Sequence, residues 1–231
     1  MKYLYLVVLT VIVMSCNNSQ NEKSTDTTAD AEIAVNTLSE GERVAQKSGL
    51  EQWDNVKQID FTFNVDRNGE QVSKRSWSWQ PKSGDVRMIN QEDTLVYNHK
   101  AVDSASIQAD RAFINDKYWL LAPYQIVWDR GATIQEKDSI ISPLTKRTSK
   151  MLTLTYNEEG GYTPGDAYDF YYGDDYKITE WVFRKGNADE PSMITTFEDY
   201  KQFNGIEIAT VHKNEDGNFK LYFTDIKVQK E

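Results

Sequence analysis

The sequence predicts a mainly β (α+β) fold: a single strongly curved antiparallel sheet or half-barrel of about ten strands, with about one to three helices covering its concave face. Apolar and polar residues alternate with a period of two along much of the chain after position 58, as half-buried strands require. Turn residues separate these short runs. The runs follow one another too closely for βαβ units, so we expect neighbouring strands to be antiparallel.

The first fifteen residues predict a signal peptide. Lys2 supplies a positive start, residues 4–13 are nearly all apolar, and Ser15 precedes the only cysteine, Cys16. The apolar run is too short for a comfortable membrane span. The segment resembles a bacterial lipoprotein signal whose lipobox ends in Ser15-Cys16, and this resemblance implies cleavage before Cys16 and lipidation of its sulfur. The membrane is therefore a predicted partner, reached through acyl chains on Cys16.

The rest of the chain divides into a tether and one domain. Residues 17–30 carry no large apolar side chain, so residues 16–32 are expected to form an acylated flexible tether. Residues 33–231 are predicted to form a single β domain of roughly 200 residues. Because the one cysteine is the predicted lipidation site, a disulfide is not expected and a hydrophobic core must hold the fold.

The domain is predicted to begin with a short helix. Ser39 and Glu42 have the spacing of a capping box, in which each residue satisfies a backbone N–H of the other. We expect the helix to run from about Ile33 or Ser39 to Lys47. Gly49 follows at the position where a left-handed residue commonly ends a helix.

A hairpin is the next predicted element. Residues 59–65 alternate as a half-buried strand should, Asn68-Gly69 is a strong two-residue turn signal, and Trp77 and Trp79 alternate on the returning strand. Further strands are expected at residues 85–89, 94–98, 124–128, 151–156, 167–172, 177–184, 193–200, 206–212 and 219–228. Two segments break the pattern. Residues 104–121 predict a helix that ends before Pro123, and residues 130–148 predict a second helix or an irregular loop.

The charge of the chain argues against nucleic acid as a partner. The formal net charge is -10, from 26 basic and 36 acidic residues. Such a surface repels phosphate backbones and anionic lipid headgroups. Attachment to a membrane is therefore expected to come from acyl chains and not from a basic patch.

Residues typical of catalysis are sparse. The two histidines, His99 and His212, have no metal-ligand spacing, and we expect both to be exposed at strand ends. Ser104 lies close to His99 but outside any Gly-x-Ser-x-Gly elbow. The sequence also lacks a phosphate loop and a dinucleotide fingerprint. It predicts a protein that is not an enzyme and has no cofactor, with a hydrolase as a minor alternative.

Two acidic segments are weak candidates for calcium. Residues 64–69 resemble the first half of a calcium loop, but Arg75 occupies the position that needs a glutamate. A hairpin turn explains them better. A second group consists of Asp166, Asp169, Asp174 and Asp175. Alternation places Asp169 opposite Tyr168 and Phe170, so this group is read as a solvated face with a turn, and no metal site is predicted.

The layout of a helix, a long antiparallel sheet and a helical insertion resembles the periplasmic lipoprotein-carrier (LolA/LolB-like) superfamily. Residues 196–206, TFEDYKQFNGI, are similar to a strand–turn–strand stretch common in that superfamily, although Ala209 stands where a proline is usual. Residues 113–123, FINDKYWLLAP, are similar to uncharacterised lipoproteins of the Bacteroidetes type. The resemblance implies a half-open barrel whose apolar cavity, closed by helices, suits lipid or acyl chains.

The aromatic residues of this layout are the candidate cavity lining. They are large, rigid and apolar, which suits a cavity wall and also a packed core, and the sequence leaves both possibilities open. Residues 119–121 could lie as a lid over the concave face. The candidate lining residues are Phe61, Phe63, Trp77, Trp79, Trp119, Leu120, Trp128, Phe170, Trp181 and Phe183.

Three functions follow from these observations. The first is an outer-membrane lipoprotein that binds a hydrophobic ligand, lipid or acyl chains, in a cavity between sheet and helices. The second is a non-enzymatic envelope scaffold with a filled core and an exposed aromatic patch, whose protein partner the sequence does not identify. The third is a hydrolase or calcium-dependent module. An acidic run after Cys16 would resemble a surface-export signal, and its absence favours the periplasmic face of the membrane.

Overall fold

The computed structural model describes residues 38–231 except 91–92 and 160–161. The predicted signal peptide, the lipidation site Cys16, the tether and the first residues of the predicted domain lie outside the described residues. In the described part, three α-helices and two short 3₁₀ turns accompany twelve strands. The helices are α1 (Glu40–Lys47), α2 (Ile107–Leu120) and α3 (Ala122–Trp128), and the 3₁₀ turns span Leu50–Asn55 and Lys185–Asn187.

The strands form two antiparallel sheets, which confirms the mainly β, antiparallel prediction. Sheet 1 has the order β10-β11-β12-β1-β2-β3-β4, and sheet 2 has the order β5-β6-β7-β8-β9. A single sheet of about ten strands was therefore the wrong expectation for the described residues. The strands are β1 (Val56–Arg67), β2 (Glu70–Gln80), β3 (Asp85–Asn90), β4 (Asp93–Asn98), β5 (Ala132–Ile141), β6 (Thr148–Tyr156), β7 (Ala167–Tyr172), β8 (Ile178–Arg184), β9 (Met193–Thr196), β10 (Glu198–Phe203), β11 (Ile206–Lys213) and β12 (Phe219–Lys230).

One interrupted stretch of chain joins the two sheets. The predicted strand at residues 193–200 is split at Phe197 into β9, which pairs with β8, and β10, which pairs with β11. The Phe197 amide still donates to the Thr179 carbonyl at 2.7 Å. Asp199 then adopts a positive φ of 54°, and Thr210 donates its hydroxyl to the Asp199 carboxylate at 2.9 Å. The Thr210 side chain thus supports the unfavourable backbone conformation of Asp199. The period of apolar residues in the sequence does not indicate such a contact.

Helix α1 begins as the capping box predicts. The Ser39 amide donates to Glu42 Oε2 at 2.8 Å, and the Glu42 amide donates to Ser39 Oγ at 3.2 Å. After the helix, Gly49 has φ +95°, and a Cβ at this position would lie 2.1 Å from the Gly205 carbonyl oxygen. Glycine is therefore required both by the left-handed backbone and by the approach of the β10–β11 turn.

The predicted hairpin of β1 and β2 is confirmed, with a turn at Asn68-Gly69. Strand β1 lies between β12 and β2, so it is central in sheet 1. Strand β1 is more buried than a half-buried, alternating strand, because its polar residues Thr62 and Asn64 are only 3% and 2% exposed. Thr62 shares a hydrogen bond of 2.9 Å with Ser76, and Asn64 donates to the Tyr222 carbonyl at 3.3 Å. These contacts within the sheet satisfy the buried polar groups.

Two element assignments from the sequence were wrong. Residues 124–128, a predicted strand, belong to helix α3, because Tyr124 and Trp128 also meet the helical i,i+4 spacing and their rings lie 5.0 Å apart. Residues 130–148, a predicted helix or loop, contain β5. That strand is an edge strand paired only with β6 and is largely exposed, so it lacks the buried alternation that identifies an inner strand.

Two apolar clusters form most of the core, and α2 lies against both. One cluster groups sheet 1 with Phe113 and Leu120 of α2, and the other groups sheet 2 with Val44 of α1 and Ile126 of α3. Trp119 packs against the two clusters at once. The predicted helix at residues 104–121 is thus confirmed as α2, and it packs against residues of both sheets. None of the described helices is long and apolar enough to cross a membrane.

Candidate functional site

A cavity of about 1280 Å³ lies where the two sheets meet α2 and α3. Sheet 1 contributes wall residues from β1, β2 and β12, and sheet 2 contributes wall residues from β6, β7, β8 and β9. The helices close a further side through Tyr118, Trp119 and Trp128. The wall therefore draws residues from both apolar clusters and from the helix that packs against them.

The structure distributes the ten candidate lining residues between this wall and the packed core. The wall contains Phe63, Trp119, Trp128, Trp181 and Phe183. The remaining five are buried outside the wall: Phe61, Trp77, Trp79, Leu120 and Phe170.

Helix α2 explains the division for the β2 tryptophans. Phe113 of α2 packs on Trp77 and Trp79 with ring centroids 5.4 and 5.5 Å away. Strand periodicity assigns a residue to a face of the sheet. It does not show which residues on that face are covered by the helix and which are left to line the cavity.

Aromatic rings make the apolar part of the wall. Trp119 lies 4.2 Å from Trp181, and Tyr168 lies 4.8 Å from Tyr118 and 5.1 Å from Phe183, measured between ring centroids. Tilted aromatic pairs at these distances stabilise one another beyond their burial. The wall is therefore a rigid apolar surface contributed by a helix and by sheet 2.

Phenol groups line the cavity beside Asp129. The Tyr156 hydroxyl donates to the Asp129 carboxylate and lies 3.1 Å from the Tyr118 hydroxyl. Burial raises the pKa of Tyr156 and that of Tyr118 well above the ordinary value. Both phenols are therefore neutral at physiological pH, and they can donate or accept hydrogen bonds without adding charge.

Helix α2 is fixed to β2 through a buried carboxylate. Asp116 is fully buried and accepts hydrogen bonds from Arg75 Nε and Nη2 at 2.8 and 2.6 Å. Trp77 Nε1 and Asn115 Nδ2 also donate to it, at 2.9 and 3.0 Å. Burial raises the pKa of Asp116, while the Arg75 guanidinium opposes that rise. Arg75 also lies over the Phe63 ring at 4.8 Å, so this network positions one edge of the cavity.

The polar part of the wall is mainly basic. Within the described residues the wall holds five basic and two acidic side chains, whereas acidic residues outnumber basic ones by 36 to 26 in the whole chain. Sequence analysis missed this group because its members are scattered through four elements and connections. They are Arg67, Arg75, Arg111, Lys117 and Arg130, with Asp129 and Glu159 as the acidic members.

The two histidines lie in different environments and do not converge. His99 lines the cavity, and its Nδ1 is 2.6 Å from the Asp110 carboxylate, which also accepts a 2.7 Å hydrogen bond from the Tyr162 hydroxyl. His212 is fully buried, so its predicted exposure was wrong. The reason is that β11 lies between β10 and β12, and its His212 ring packs beneath Trp119 at 5.2 Å.

The acidic group at residues 166–175 divides into Asp166 and Asp169, which are buried, and Asp174 and Asp175, which are exposed at a turn as predicted. Asp169 is buried, not solvated as predicted, because Arg184 Nε and Nη2 donate to it at 2.9 and 3.1 Å and Thr153 at 2.6 Å. Asp166 accepts from the Gly186 amide at 2.8 Å. In the described part of the chain, no three His, Cys, Asp or Glu side chains are arranged to hold a metal ion.

Comparison with known proteins gives distant structural neighbours only. No family model matches the chain, and no curated protein matches it by sequence. A DUF1329 family protein from Desulfovibrio piger ATCC 29098 shares 10% identity with a TM-score of 0.47, over 82% of this chain and 92% of that chain. Mycobacterium tuberculosis lipoprotein LppX shares 6% identity with a TM-score of 0.27, over 82% and 97%. Both scores are too low for a shared fold family or a function to follow from them.

Proposed function

We propose that this protein is a lipoprotein that binds a hydrophobic ligand, lipid or acyl chains, in the cavity between its two sheets and α2. The observation that carries this proposal is the cavity itself, about 1280 Å³ in volume and walled by aromatic residues from α2, α3 and both sheets. Sites for drug-sized ligands usually measure roughly 300–1,000 Å³. The cavity is therefore large enough for a ligand longer than a typical metabolite.

Burial of hydrocarbon would drive binding. Each methylene group removed from water contributes about 0.8 kcal/mol, before the cost of ordering the chain is subtracted. The tilted rings of Trp119, Trp181 and Tyr168 offer a preformed apolar surface, which limits that cost on the protein side. Few directed polar contacts are needed for the hydrocarbon part of such a ligand.

The non-enzymatic character of the protein is part of the proposal. A hydrolase or calcium module would need His99, His212 or the acidic group at residues 166–175 to meet in one pocket. Only His99 lines the cavity. The geometry of the described residues therefore favours binding over catalysis.

The scaffold alternative would need a filled core and an exposed aromatic patch. Among the described residues with large apolar side chains, the exposed ones are Val72, Ile89, Val96, Ile134, Ile141 and Tyr162. Only one of these is aromatic, and Tyr162 belongs to the cavity wall together with Val72. Such a set does not form the patch that the scaffold reading requires.

Membrane attachment and location complete the proposal. Acyl chains on Cys16 would hold the protein at the outer membrane, with the folded part on the periplasmic side. The support is the signal-like segment of residues 1–15 and the absence of an acidic run directly after Cys16. Two or three acyl chains suffice for stable anchoring.

A fluorescence titration tests the binding proposal. We expect a soluble form that begins at Asn17 to bind methyl cis-parinarate, an uncharged polyene ester whose fluorescence rises in an apolar site. Val65→Trp, which places an indole in the cavity, should weaken binding and reduce the rise at a given probe concentration. The matched control Val96→Trp makes the same change on edge strand β4, where Val96 is 67% exposed, and should leave binding intact. Equal binding by both variants, each shown to be folded by circular dichroism, would contradict the proposal.

A further inference from the structure

We propose that the ligand of this cavity is an anionic amphiphile, whose carboxylate or phosphate head group is bound by Lys117 while its hydrocarbon lies on the aromatic wall. This inference rests on the function proposed above and assigns the chemistry of the ligand. It starts from the charge of the wall, which is basic in an acidic protein. A site that reverses the sign of the surrounding surface favours anions.

Lys117 is the cation of the wall that most needs a partner. Its side chain is half-buried, and within the described residues no carboxylate lies within ion-pair distance of its ammonium. The contact that remains is with the face of Trp79, 5.6 Å from the ring centroid. Arg75, by contrast, is neutralised by Asp116. Burying an ammonium without a counterion is costly, so a bound anion would stabilise this arrangement.

The charges that face Lys117 are already engaged elsewhere. Burial lowers the pKa of Lys117, and the nearby carboxylates Asp129 and Asp110 act in the opposite direction. Asp129 accepts the hydroxyl of Tyr156, and Asp110 is bonded by His99 and Tyr162. Both carboxylates thus have partners other than Lys117, and neither lies within ion-pair distance of its ammonium, which can therefore bind a ligand oxygen.

Two buried donors in the wall also lack acceptors. Gln125 is 3% exposed and Trp181 is 1% exposed, and both line the cavity. Within the described residues, Gln125 Nε2 and Trp181 Nε1 have no hydrogen-bond partner. An unsatisfied buried donor costs roughly 1–3 kcal/mol. These two nitrogen atoms are themselves covered by protein atoms, so the donor that a ligand in the cavity meets is the Lys117 ammonium, and the ligand that neutralises it must supply acceptor oxygens.

The backbone holds the head-group site next to the hydrocarbon site. Lys117 lies in the last turn of α2, where the Leu121 amide donates to its carbonyl at 2.9 Å. Trp119, two residues after Lys117, packs on Trp181 of the aromatic wall. A ligand with a charged end and an apolar body therefore meets the right chemistry at both ends.

Competition among amphiphiles that share one chain tests this inference. Oleate, 1-oleoyl-lysophosphatidate and methyl oleate, each below its micellar concentration, would displace methyl cis-parinarate from the soluble form that begins at Asn17. At least one of the two acids should bind about tenfold or more tightly than methyl oleate, as a charge-assisted hydrogen bond predicts. A preference for oleate assigns a free fatty acid, and a preference for the lysophosphatidate assigns a phospholipid head group; equal affinities assign an acidic head group of either kind.

Variants then identify the residues. Lys117→Met should remove about tenfold of the affinity for the preferred acid and leave methyl oleate unchanged. Lys117→Gln, which keeps a polar side chain without the charge, should act in the same direction and provides a second test if the first variant does not fold. Lys74→Met is the matched control, because Lys74 is exposed and precedes Arg75 on β2 without lining the cavity, and it should change neither affinity.

The outcomes separate the inference from the function on which it rests. Equal affinity for the acids and methyl oleate would overturn the anionic head group while the hydrophobic cavity stands. Equal effects of Lys117→Met and Lys74→Met would overturn the assigned site. Failure of methyl cis-parinarate itself to bind would remove the proposed function and the inference together.

Discussion

The buried His212 gives a stability prediction that depends on pH. Its ring is packed against Trp119, Phe197 and Phe223, with centroid distances of 5.2, 4.4 and 6.1 Å, and its Nδ1 lies 3.0 Å from the Thr196 carbonyl. Burial lowers the pKa of His212 from 6.5 to about 4, although the hydrogen bond with Thr196 acts in the opposite direction. The imidazole is therefore neutral in the folded protein at physiological pH.

The sign of the effect follows from the two pKa values. The unfolded chain binds a proton on His212 below its ordinary pKa of 6.5, whereas the folded chain binds it only near 4. Protonation thus favours unfolding, so the contribution of this group is full above pH 6.5 and is lost as the pH falls toward 4. Each pKa unit corresponds to about 1.4 kcal/mol, so the full loss is roughly 3 kcal/mol and the loss between pH 7.5 and 5 is about 2 kcal/mol.

Urea unfolding of the wild-type chain and His212→Leu at pH 7.5, 6.5, 5.5 and 5 measures this effect. The difference between the two free energies of unfolding cancels the titration of the carboxylates, which both chains share. We expect the free energy of unfolding of the wild-type chain, relative to that of His212→Leu, to fall by about 2 kcal/mol from pH 7.5 to pH 5, because only the wild-type chain has the imidazole. A difference that stays constant with pH would refute the assignment of a neutral, buried imidazole.

Three further predictions concern groups that hold the fold. Asp116→Ala should lower the free energy of unfolding by about 3–5 kcal/mol, because Arg75 and Trp77 lose the carboxylate to which they donate. If urea unfolding showed a loss no larger than that of an ordinary surface substitution, the importance of this network would be contradicted. Gly49→Ala should lower the free energy of unfolding by more than the roughly 1–3 kcal/mol of left-handed strain, since its Cβ would lie 2.1 Å from the Gly205 oxygen. The control Gly69→Ala, at φ +82° with open space around it, should cost only the strain. Equal shifts of the thermal midpoint for the two variants would contradict the close approach at Gly49. Glu180→Gln should speed amide hydrogen exchange at residues 144 and 145, whose amides donate to the Glu180 carboxylate at 2.6 and 3.1 Å, and unchanged exchange there would show that the loop is held by other contacts.

The features that sequence reasoning predicted are those decided by neighbours along the chain. The capping box of Ser39 and Glu42 involves residues three apart, and the Asn68-Gly69 hairpin depends on a two-residue turn. Helix α2 and most strands also follow from their own periodicity. Each of these was found in the structure with small differences at its ends.

The errors arose where distant contacts decide the structure. The spacing of Tyr124 and Trp128 fits a strand and a helix equally, and packing of α3 against α1 and α2 selects the helix. Edge strand β5 shows no apolar alternation because nearly all of its residues, on both faces, are exposed. The split of the expected strand at Phe197 lies beside a contact between Asp199 and Thr210, which are 11 residues apart. Local sequence contains none of these partners.

The candidate site shows the same division. Strand alternation identified aromatic residues that face inward, yet the position of α2 decides that Trp181 lines the cavity while Trp77 is covered by Phe113. The basic side chains of the wall come from positions between 67 and 130 that no motif connects. Folding alone brings them together, so the charge of the site could not be predicted from the sequence.

Native mass spectrometry tests the central claim, a cavity that holds a hydrophobic ligand, most directly. The full chain purified from its own envelope would be compared with the soluble form that begins at Asn17, expressed in the same cells. We predict a stoichiometric lipid or acylated adduct on both forms, whose occupancy Val65→Trp reduces and Val96→Trp leaves unchanged. Masses of the unliganded chain alone, on both forms under gentle desorption, would contradict the account.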